Sequence, residues 1–258
     1  MINYKSDILP IIYEASKIIE TNTNSHLIIN TKSNSNYVTN LDLQVEAYIT
    51  THIKQLFEDA TFLSEESYCQ NNQQSFWVLD PIDGTTNLIH NYPSSCISLA
   101  HIVDGTTIFG VVHCTNTHET FYAIRGKGAY LINNQQEEIL ISVNMINELQ
   151  HSLVGFGFPY DKSKIPYLFK LLQPIIATCD DLKRKGPASL DICYVACGRL
   201  SAYLELDLEH WDYAAGALIL TESGGLLTDF MGNSKIAGKS HIIASNGLVH
   251  AEIIDKLM

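Results

Sequence analysis

The stretch Trp77-Val78-Leu79-Asp80-Pro81-Ile82-Asp83-Gly84-Thr85-Thr86-Asn87 decides the reading of this chain. The apolar, β-type run Phe76 to Leu79 delivers a carboxylate, Asp80, then turns at Pro81 and delivers a second, Asp83, before Gly-Thr-Thr. Two acids on a tight turn repel each other, so a cation is expected between them. The amides of Gly84 and Thr85 open toward a helix N-terminus, a seat for phosphate. Carboxylates, cation and phosphate on one loop point to metal-assisted phosphoryl hydrolysis.

Composition narrows the partners. The 258 residues suffice for one large domain or two small ones with a substantial core. A hydrophobic fraction of 46% and mean hydropathy of +0.03 are those of an ordinary globular protein. With 16 Lys and Arg against 28 Asp and Glu, the net charge of -12 argues against nucleic acid and anionic membranes as partners. A phosphate substrate then needs positive charge from elsewhere, and divalent cations supply it. The six cysteines (Cys69, Cys96, Cys114, Cys179, Cys193, Cys197) form no CxxC pair. Cys193 and Cys197, four apart among Ile192, Val195 and Ala196, read as small core hydrophobes rather than ligands. The ten histidines show no metal-ligand spacing, so no zinc site is expected. Without a basic, apolar leader at Met1 to Ser6 or a run of membrane-spanning length, the expectation is a cytoplasmic chain with reduced thiols.

Helical spacing of Ile8, Ile11, Ile12, Ala15, Ile18 and Ile19 predicts a first helix over 7–20, and Val45, Ile49, Ile53 and Leu56 a second over 41–57. The polar segment from Thr21 to Asn36 breaks the period, with a short strand at Leu27 to Ile29; Thr61 to Leu63 is a strand ending at Glu65-Glu66, and 67–75 a solvated loop. Beyond Asn87 the pattern turns antiparallel. Ile97 to Val103 and Thr107 to Cys114 flank an Asp104-Gly105 turn, and Thr120 to Arg125 and Ala129 to Ile132 flank Gly-Lys-Gly. From about 150 the pattern becomes α/β: strands at 153–158, 202–205, 224–227 and 242–244. Helices are expected at 165–178 (cut by Pro174), 191–197, 213–221 and 250–257. Layered sheets and helices in two intimate halves, 1–145 and 146–258, are the expected architecture.

Asp80-Pro81-Ile82-Asp83-Gly84-Thr85-Thr86-Asn87 with Pro93, Trp211-Asp212-Tyr213-Ala214-Ala215-Gly216, Phe62-Leu63-Ser64-Glu65-Glu66-Ser67 and Val38-Thr39-Asn40-Leu41-Asp42 together resemble the inositol monophosphatase family of magnesium-dependent, lithium-sensitive phosphatases. Order and spacing agree across nearly the whole chain. The resemblance implies a layered α-β-α-β-α sandwich of two subdomains, assembled as a homodimer. It implies two to three Mg²⁺: one on Glu65, Asp80 and the Ile82 carbonyl, a second on Asp80, Asp83 and Asp212, and a looser third touching Glu65. Thr85 with Asp42 would orient and deprotonate the water that attacks phosphorus, which makes Asp42, Thr85 and Glu65 the candidate catalytic residues. The Gly84 and Thr85 amides, with Thr86, would take phosphate oxygens, and Asp83, Ala188, Glu205 and Asp212 would face the alcohol. Few carboxylates suffice because Mg²⁺ keeps several waters in its octahedron.

Each residue also has a plainer role. Asp80 to Gly84 is a ready turn, Thr39 and Asp42 a capping box, Asp212 an N-cap for a helix from Tyr213, and Glu205 a surface charge at a strand end. Glu66 reads as a structural neighbour of Glu65. Lys32 sits where the family has a mobile lysine, in a loop one residue shorter. Thr86-Asn87 after Asp-Gly-Thr is the form of inositol phosphatases, which makes myo-inositol monophosphate the first substrate. Ser64 in place of Gly, and Pro187 and Ser189 within Arg184-Lys185-Gly186-Pro187-Ala188-Ser189, depart from the family pattern. They keep histidinol phosphate, fructose-1,6-bisphosphate, NADP and adenosine bisphosphates as alternatives, beside a non-catalytic dimeric binding protein.

Overall fold

The computed structural model describes residues 3–22, 27–33, 36–67, 74–236 and 238–257. Most of the expected 67–75 loop, including Cys69, and parts of the 21–36 segment lie outside the described residues. The chain begins with α1 (Tyr4–Asn22), the strand pair β1 (Ile29–Ser33) and β2 (Asn36–Thr39), and α2 (Asn40–Leu56). Seven strands follow around one short helix: β3 (Phe62–Ser64), β4 (Ser75–Asp83), α3 (Thr85–Ile89), β5 (Cys96–Val103), β6 (Thr106–Cys114), β7 (Thr120–Ile124), β8 (Ala129–Ile132) and β9 (Glu138–Ile141). They form one sheet in sequence order, antiparallel except for β3 beside β4.

The rest alternates: β10 (Leu153–Phe156), α4 (Ile165–Ile176), β11 (Asp181–Lys183), α5 (Ala188–Ala196), β12 (Ala202–Leu208), α6 (His210–Glu222), β13 (Leu226–Asp229), β14 (Ser240–Ser245) and α7 (His250–Leu257). A second sheet of order β11-β10-β12-β14-β13 results, parallel where helices cross between strands and antiparallel at β14.

Alternation along the strands makes the layers. On β4, Trp77 and Leu79 join the apolar cluster that α1 and α2 close with Ile8, Ile12, Val45 and Ile49. Val78 points to the opposite face, where Ala100, Val112 and Phe121 meet α5 and α6 and, beyond them, Tyr203 and Ala244 of the second sheet. The far face of that sheet packs Val154, Leu204 and Ile243 under Leu168, Leu172 and Ile253 of α4 and α7. Helix, sheet, helix, sheet, helix is therefore the layer order, an α/β sandwich as expected.

Helix α6 lies at the centre, and Tyr213, Ala214, Ala215, Gly216, Leu218, Ile219 and Leu220 are all buried. A helix apolar on every side belongs between two layers. Its approach to β6 is set by Gly110, where an added Cβ would stand 2.8 Å from the Ala215 carbonyl oxygen and 3.0 Å from its Cα. Both are backbone atoms and cannot turn aside. Gly110→Ala is expected to cost about 2 kcal/mol by overpacking, a fall of roughly 4–8 °C in unfolding temperature for a chain of this size. A thermal melt matching the unsubstituted protein would refute this account of how α6 is seated.

Three local expectations change. Strand β4 does not turn at Pro81; it continues to Asp83, and its pairing with β5 slips between Asp80 and Asp83. A bulge absorbs the proline, which has no N–H to give the ladder. Helix α4 continues past Pro174 to Ile176. Strands β2, β9 and β11 went unread: Asn36–Thr39, Glu138–Ile141 and Asp181–Lys183 are short, and β9 and β11 carry three exposed residues and two, respectively.

Candidate active site

The bulge in β4 places its acids. Asp80 is buried, and its Oδ1 accepts the Ile82 N–H at 3.0 Å, bending the chain so that Asp83 leaves the strand at the cleft. Gly84 follows at φ +93°, a left-handed conformation that suits glycine, and lets the chain reverse directly into α3. A Cβ there would also stand 3.0 Å from the Ser94 carbonyl oxygen.

Asp42 is buried outright at the start of α2. Its Oδ2 accepts the Thr39 N–H at 2.8 Å and the Thr39 hydroxyl at 2.5 Å, while Thr39 Oγ1 accepts the Leu41 N–H at 3.1 Å. The capping box read from the sequence is present, and it leaves Oδ1 directed at Thr85, whose hydroxyl lies 3.0 Å away. Thr85 Oγ1 is also 3.0 Å from the Ile82 carbonyl oxygen. One proton cannot serve two acceptors fully, so cap, strand end and α3 start are tied into one unit.

Asp212 arrives from the other half of the chain. It is not the N-cap of α6: that position is Glu209, and Asp212 sits one turn in, accepting the Glu209 N–H at 2.7 Å in a capping box. The helix simply begins three residues earlier than its apolar run. One carboxylate oxygen from each of Asp80, Asp83 and Asp212 lies within 4.8 Å of the others, and no basic side chain reaches among them in a hydrogen bond or ion pair that the described residues form. Burial is the main force raising all three pKa values, with mutual repulsion added at Asp80 and Asp212; Asp83 reaches about 6, moderated by Ser189, whose N–H at the head of α5 meets its Oδ2 at 2.8 Å. A compact, all-oxygen, uncompensated donor set is what a hard divalent cation requires.

Glu65 follows β3, and burial is again the first cause of its raised pKa, with Asp42 and Asp83 adding repulsion. Lys32 offsets part of this: its Nζ lies 3.0 Å from Glu65 and 2.6 Å from Glu66, whose pKa burial raises to about 7. The lysine of the shortened loop thus reaches the acids after all. Ser64 has a role too. It and Ser67 both donate to the buried Glu46 of α2, Ser67 at 2.5 Å, which anchors the Glu65 segment on either side.

The cleft beside the acids is lined by Gly84, Thr85, Thr86, Ala188, Glu205 and Asp212 among others, and Thr86 is exposed. Glu205 is no surface charge: it is buried on β12, accepts the Tyr203 hydroxyl, and burial pushes its pKa up to about 8. An added Cβ at Gly157 would lie 2.0 Å from Glu205 Oε2, so a side chain there displaces the carboxyl group. Pro187 precedes α5, and the loop before it is pinned by Gly186 N–H to Asp191 at 2.9 Å and by Ser94 Oγ to the Gly186 carbonyl at 2.5 Å. Sequence reading missed Ser189, Gly157, Tyr203, Arg184 and Tyr160 as neighbours of the cleft. Arg184 and Ser189 stood inside a segment already singled out, with Ser189 named there as a departure from the family pattern and not as a partner of Asp83.

Five alternating layers with a carboxylate cluster where a strand bulges into a short helix define an α/β sandwich protein whose acids can hold a metal ion. The model of the inositol monophosphatase family matches residues 7–258, and the chain belongs to that family. It is 36% identical over 229 residues to the Nus factor SuhB of Pasteurella multocida (strain Pm70), covering 88% of this chain and 84% of that protein. The solved extragenic suppressor protein suhB from Bartonella henselae superposes with a TM-score of 0.90 at 29% identity, covering 98% of this chain and 97% of that one. SaIMPase-II, inositol monophosphatase-II of Staphylococcus aureus, has been solved with inositol monophosphate bound (TM-score 0.83, 26% identity, 97% and 92% covered) and with 2'AMP bound (TM-score 0.82, 27% identity, 97% and 92% covered). Among the described residues no helix is long and apolar enough to cross a membrane. The five described cysteines are free thiols, with Cys193 in the core and Cys197 half-buried.

Proposed function

We propose that the chain is a Mg²⁺-dependent phosphomonoesterase of small phosphorylated metabolites, with myo-inositol monophosphate the first substrate to try. The observation that carries this reading is the convergence of Asp80, Asp83 and Asp212 without a basic partner among the described residues, beside Gly84 and Thr85 at the mouth of the cleft. Glu65, Asp80, Asp83, Asp212 and the Ile82 carbonyl are the groups that would hold two to three cations. When bound, such cations supply positive charge to the phosphate and to the attacking and leaving oxygens.

The chain's own residues do the rest. The Gly84 and Thr85 amides and Thr86 hold phosphate oxygens. Asp42, through the Thr85 hydroxyl, orients the attacking water and accepts its proton. The water oxygen bonds to phosphorus as the phosphorus–alkoxide bond breaks in line, and the alkoxide leaves as an alcohol after gaining a proton. Ala188, Glu205 and Asp212, with Asp83, face that alcohol. The remaining parts of the reading are a division near residue 145, a homodimer, cytoplasmic residence and sensitivity to Li⁺.

The complexes of SaIMPase-II with both inositol monophosphate and 2'AMP keep the alcohol open, so histidinol phosphate, fructose-1,6-bisphosphate, NADP and adenosine bisphosphates belong in the same panel. A binding role is the second reading, favoured by the name Nus factor that curated relatives carry. The net charge of -12 supports a small anionic substrate over nucleic acid only where cations intervene. The deciding assay is phosphate release from the panel with Mg²⁺ and with chelator. Release that the chelator abolishes supports the enzyme; no release from any substrate overturns it in favour of the binding role.

A further inference from the structure

A second group of metal-ligating side chains stands away from the carboxylates. Glu20 ends α1, His113 lies on β6, and His118 sits in the turn between β6 and β7. One ligand atom from each lies within 4.8 Å of the others, and His118 Nδ1 is 3.6 Å from Glu20 Oε1. Nothing in the sequence pattern suggests the trio, since the histidines are five apart and the acid is on another element.

The independent observation is at His113. The residue is 3% exposed, and its Nδ1 pairs with Thr120 Oγ1 at 2.9 Å. Its Nε2 is buried with no hydrogen-bond partner. A buried ring nitrogen without a partner costs roughly 1–3 kcal/mol, so this atom calls for a ligand. In the tautomer that gives Nδ1–H to Thr120 Oγ1, Nε2 carries a lone pair, the arrangement in which a hydroxyl orients a ligating imidazole from behind. Burial, helped by His118, holds the ring neutral by lowering its pKa to about 4. Tyr13 of α1 packs edge-on against the same ring at 5.4 Å, which keeps the end of α1 over it.

We infer that Glu20, His113 and His118 form a second cation site, one that takes a borderline transition metal such as Zn²⁺ with water completing the shell. Two imidazoles and a carboxylate are a common three-ligand set for that ion, whereas the oxygen-only cluster at Asp80, Asp83 and Asp212 suits Mg²⁺. The two sites therefore select different metals. Occupation ties the last turn of α1 to the β6–β7 turn, across the outer face of the seven-stranded sheet. The site stands whether or not the carboxylate cluster hydrolyses phosphate.

The test titrates the purified full-length protein with Zn²⁺, and separately with Co²⁺, in saturating Mg²⁺ so that the carboxylate cluster is occupied. The expected result is one equivalent of Zn²⁺ bound with a rise in unfolding temperature, and visible Co²⁺ absorption of nitrogen-ligated, low-coordinate type. His118→Ala and Glu20→Gln, both at the surface, are each expected to weaken that binding at least ~10-fold while leaving the metal-free melt in place. His113→Ala is secondary, because it also removes a buried ring. No Zn²⁺ bound by the Mg²⁺-saturated protein, or binding unchanged in both surface variants, overturns the assignment.

Discussion

Asp83→Asn is expected to lower phosphate release by at least ~100-fold, since even a neighbour of a metal ligand costs 10–100-fold when lost and Asp83 is proposed as a ligand itself. The fold is expected to survive. The bond that Asp83 makes, Ser189 N–H to Oδ2 at 2.8 Å, needs only an acceptor, and an asparagine carbonyl oxygen provides one. What disappears is one negative charge from a cluster in which burial already resists ionisation. The variant should therefore melt no lower than the unsubstituted protein when both are held in chelator. Turnover at the unsubstituted rate would remove Asp83 from the metal site. Loss of turnover with loss of the far-ultraviolet circular dichroism spectrum would mean instead that Ser189 and α5 depend on the charge.

The layers and the first half of the site were legible because they rest on local signals. Periods of 3.6 and 2 placed α1, α2 and the β5–β6 hairpin within a few residues, and the strand leading into Asp80 announced the bulged loop. Asp212 was found by motif, but its place in α6 was misread. Three polar or amphipathic residues precede the apolar run, and only the Glu209 cap shows where the helix starts.

What stayed hidden is what distant segments do to one another. Ser189 offers a backbone N–H, which any residue at that position would have, so no side-chain pattern can reveal it. Spacing alone left Glu205 open to being a surface charge, because a single acid after Ala202-Tyr203-Leu204 reads as a strand end, and only the family resemblance turned it toward the alcohol; β12 continues to Leu208 and carries it inside. Nothing within the strand Thr107 to Cys114 marks Gly110, whose reason is the backbone of Ala215 over a hundred residues later.

The unfolding temperature is expected to rise with Mg²⁺ at pH 8 and to rise much less at pH 5.5. Burial raises the carboxyl pKa to about 6 at Asp83 and about 7 at Glu66, and well above the ordinary value at Asp80 and Asp212. For an acid whose folded pKa exceeds its unfolded value near 4, the folded state binds the proton more tightly. That contribution favours folding at low pH and is lost as pH rises through the folded pKa. At pH 8 the cation-free site is therefore a cluster of charges held together at a cost, and a cation relieves it; at pH 5.5 protons already do much of that. A cation at a hundred times its dissociation constant adds about 2.7 kcal/mol, or roughly 5–10 °C here.

Two buried histidines act in the opposite direction. His101, whose ring nitrogens meet Tyr4 Oη at 2.8 Å and Ser75 Oγ at 2.9 Å, and His113 both have pKa values that burial lowers to about 4. They weaken folding as pH falls from about 6.5 toward 4. Neither histidine is among the groups proposed to hold Mg²⁺, so in protein stripped of transition metals beforehand the difference between the two melts at each pH cancels their effect and reads the carboxylates. Asp212→Asn sharpens the measurement, because it removes one crowded charge while leaving an acceptor for the Glu209 N–H. It should raise the pH 8 melt in chelator and lose most of the response to Mg²⁺. A Mg²⁺ shift as large at pH 5.5 as at pH 8, or one undiminished in Asp212→Asn, would place the stabilising cation somewhere other than among Asp80, Asp83 and Asp212.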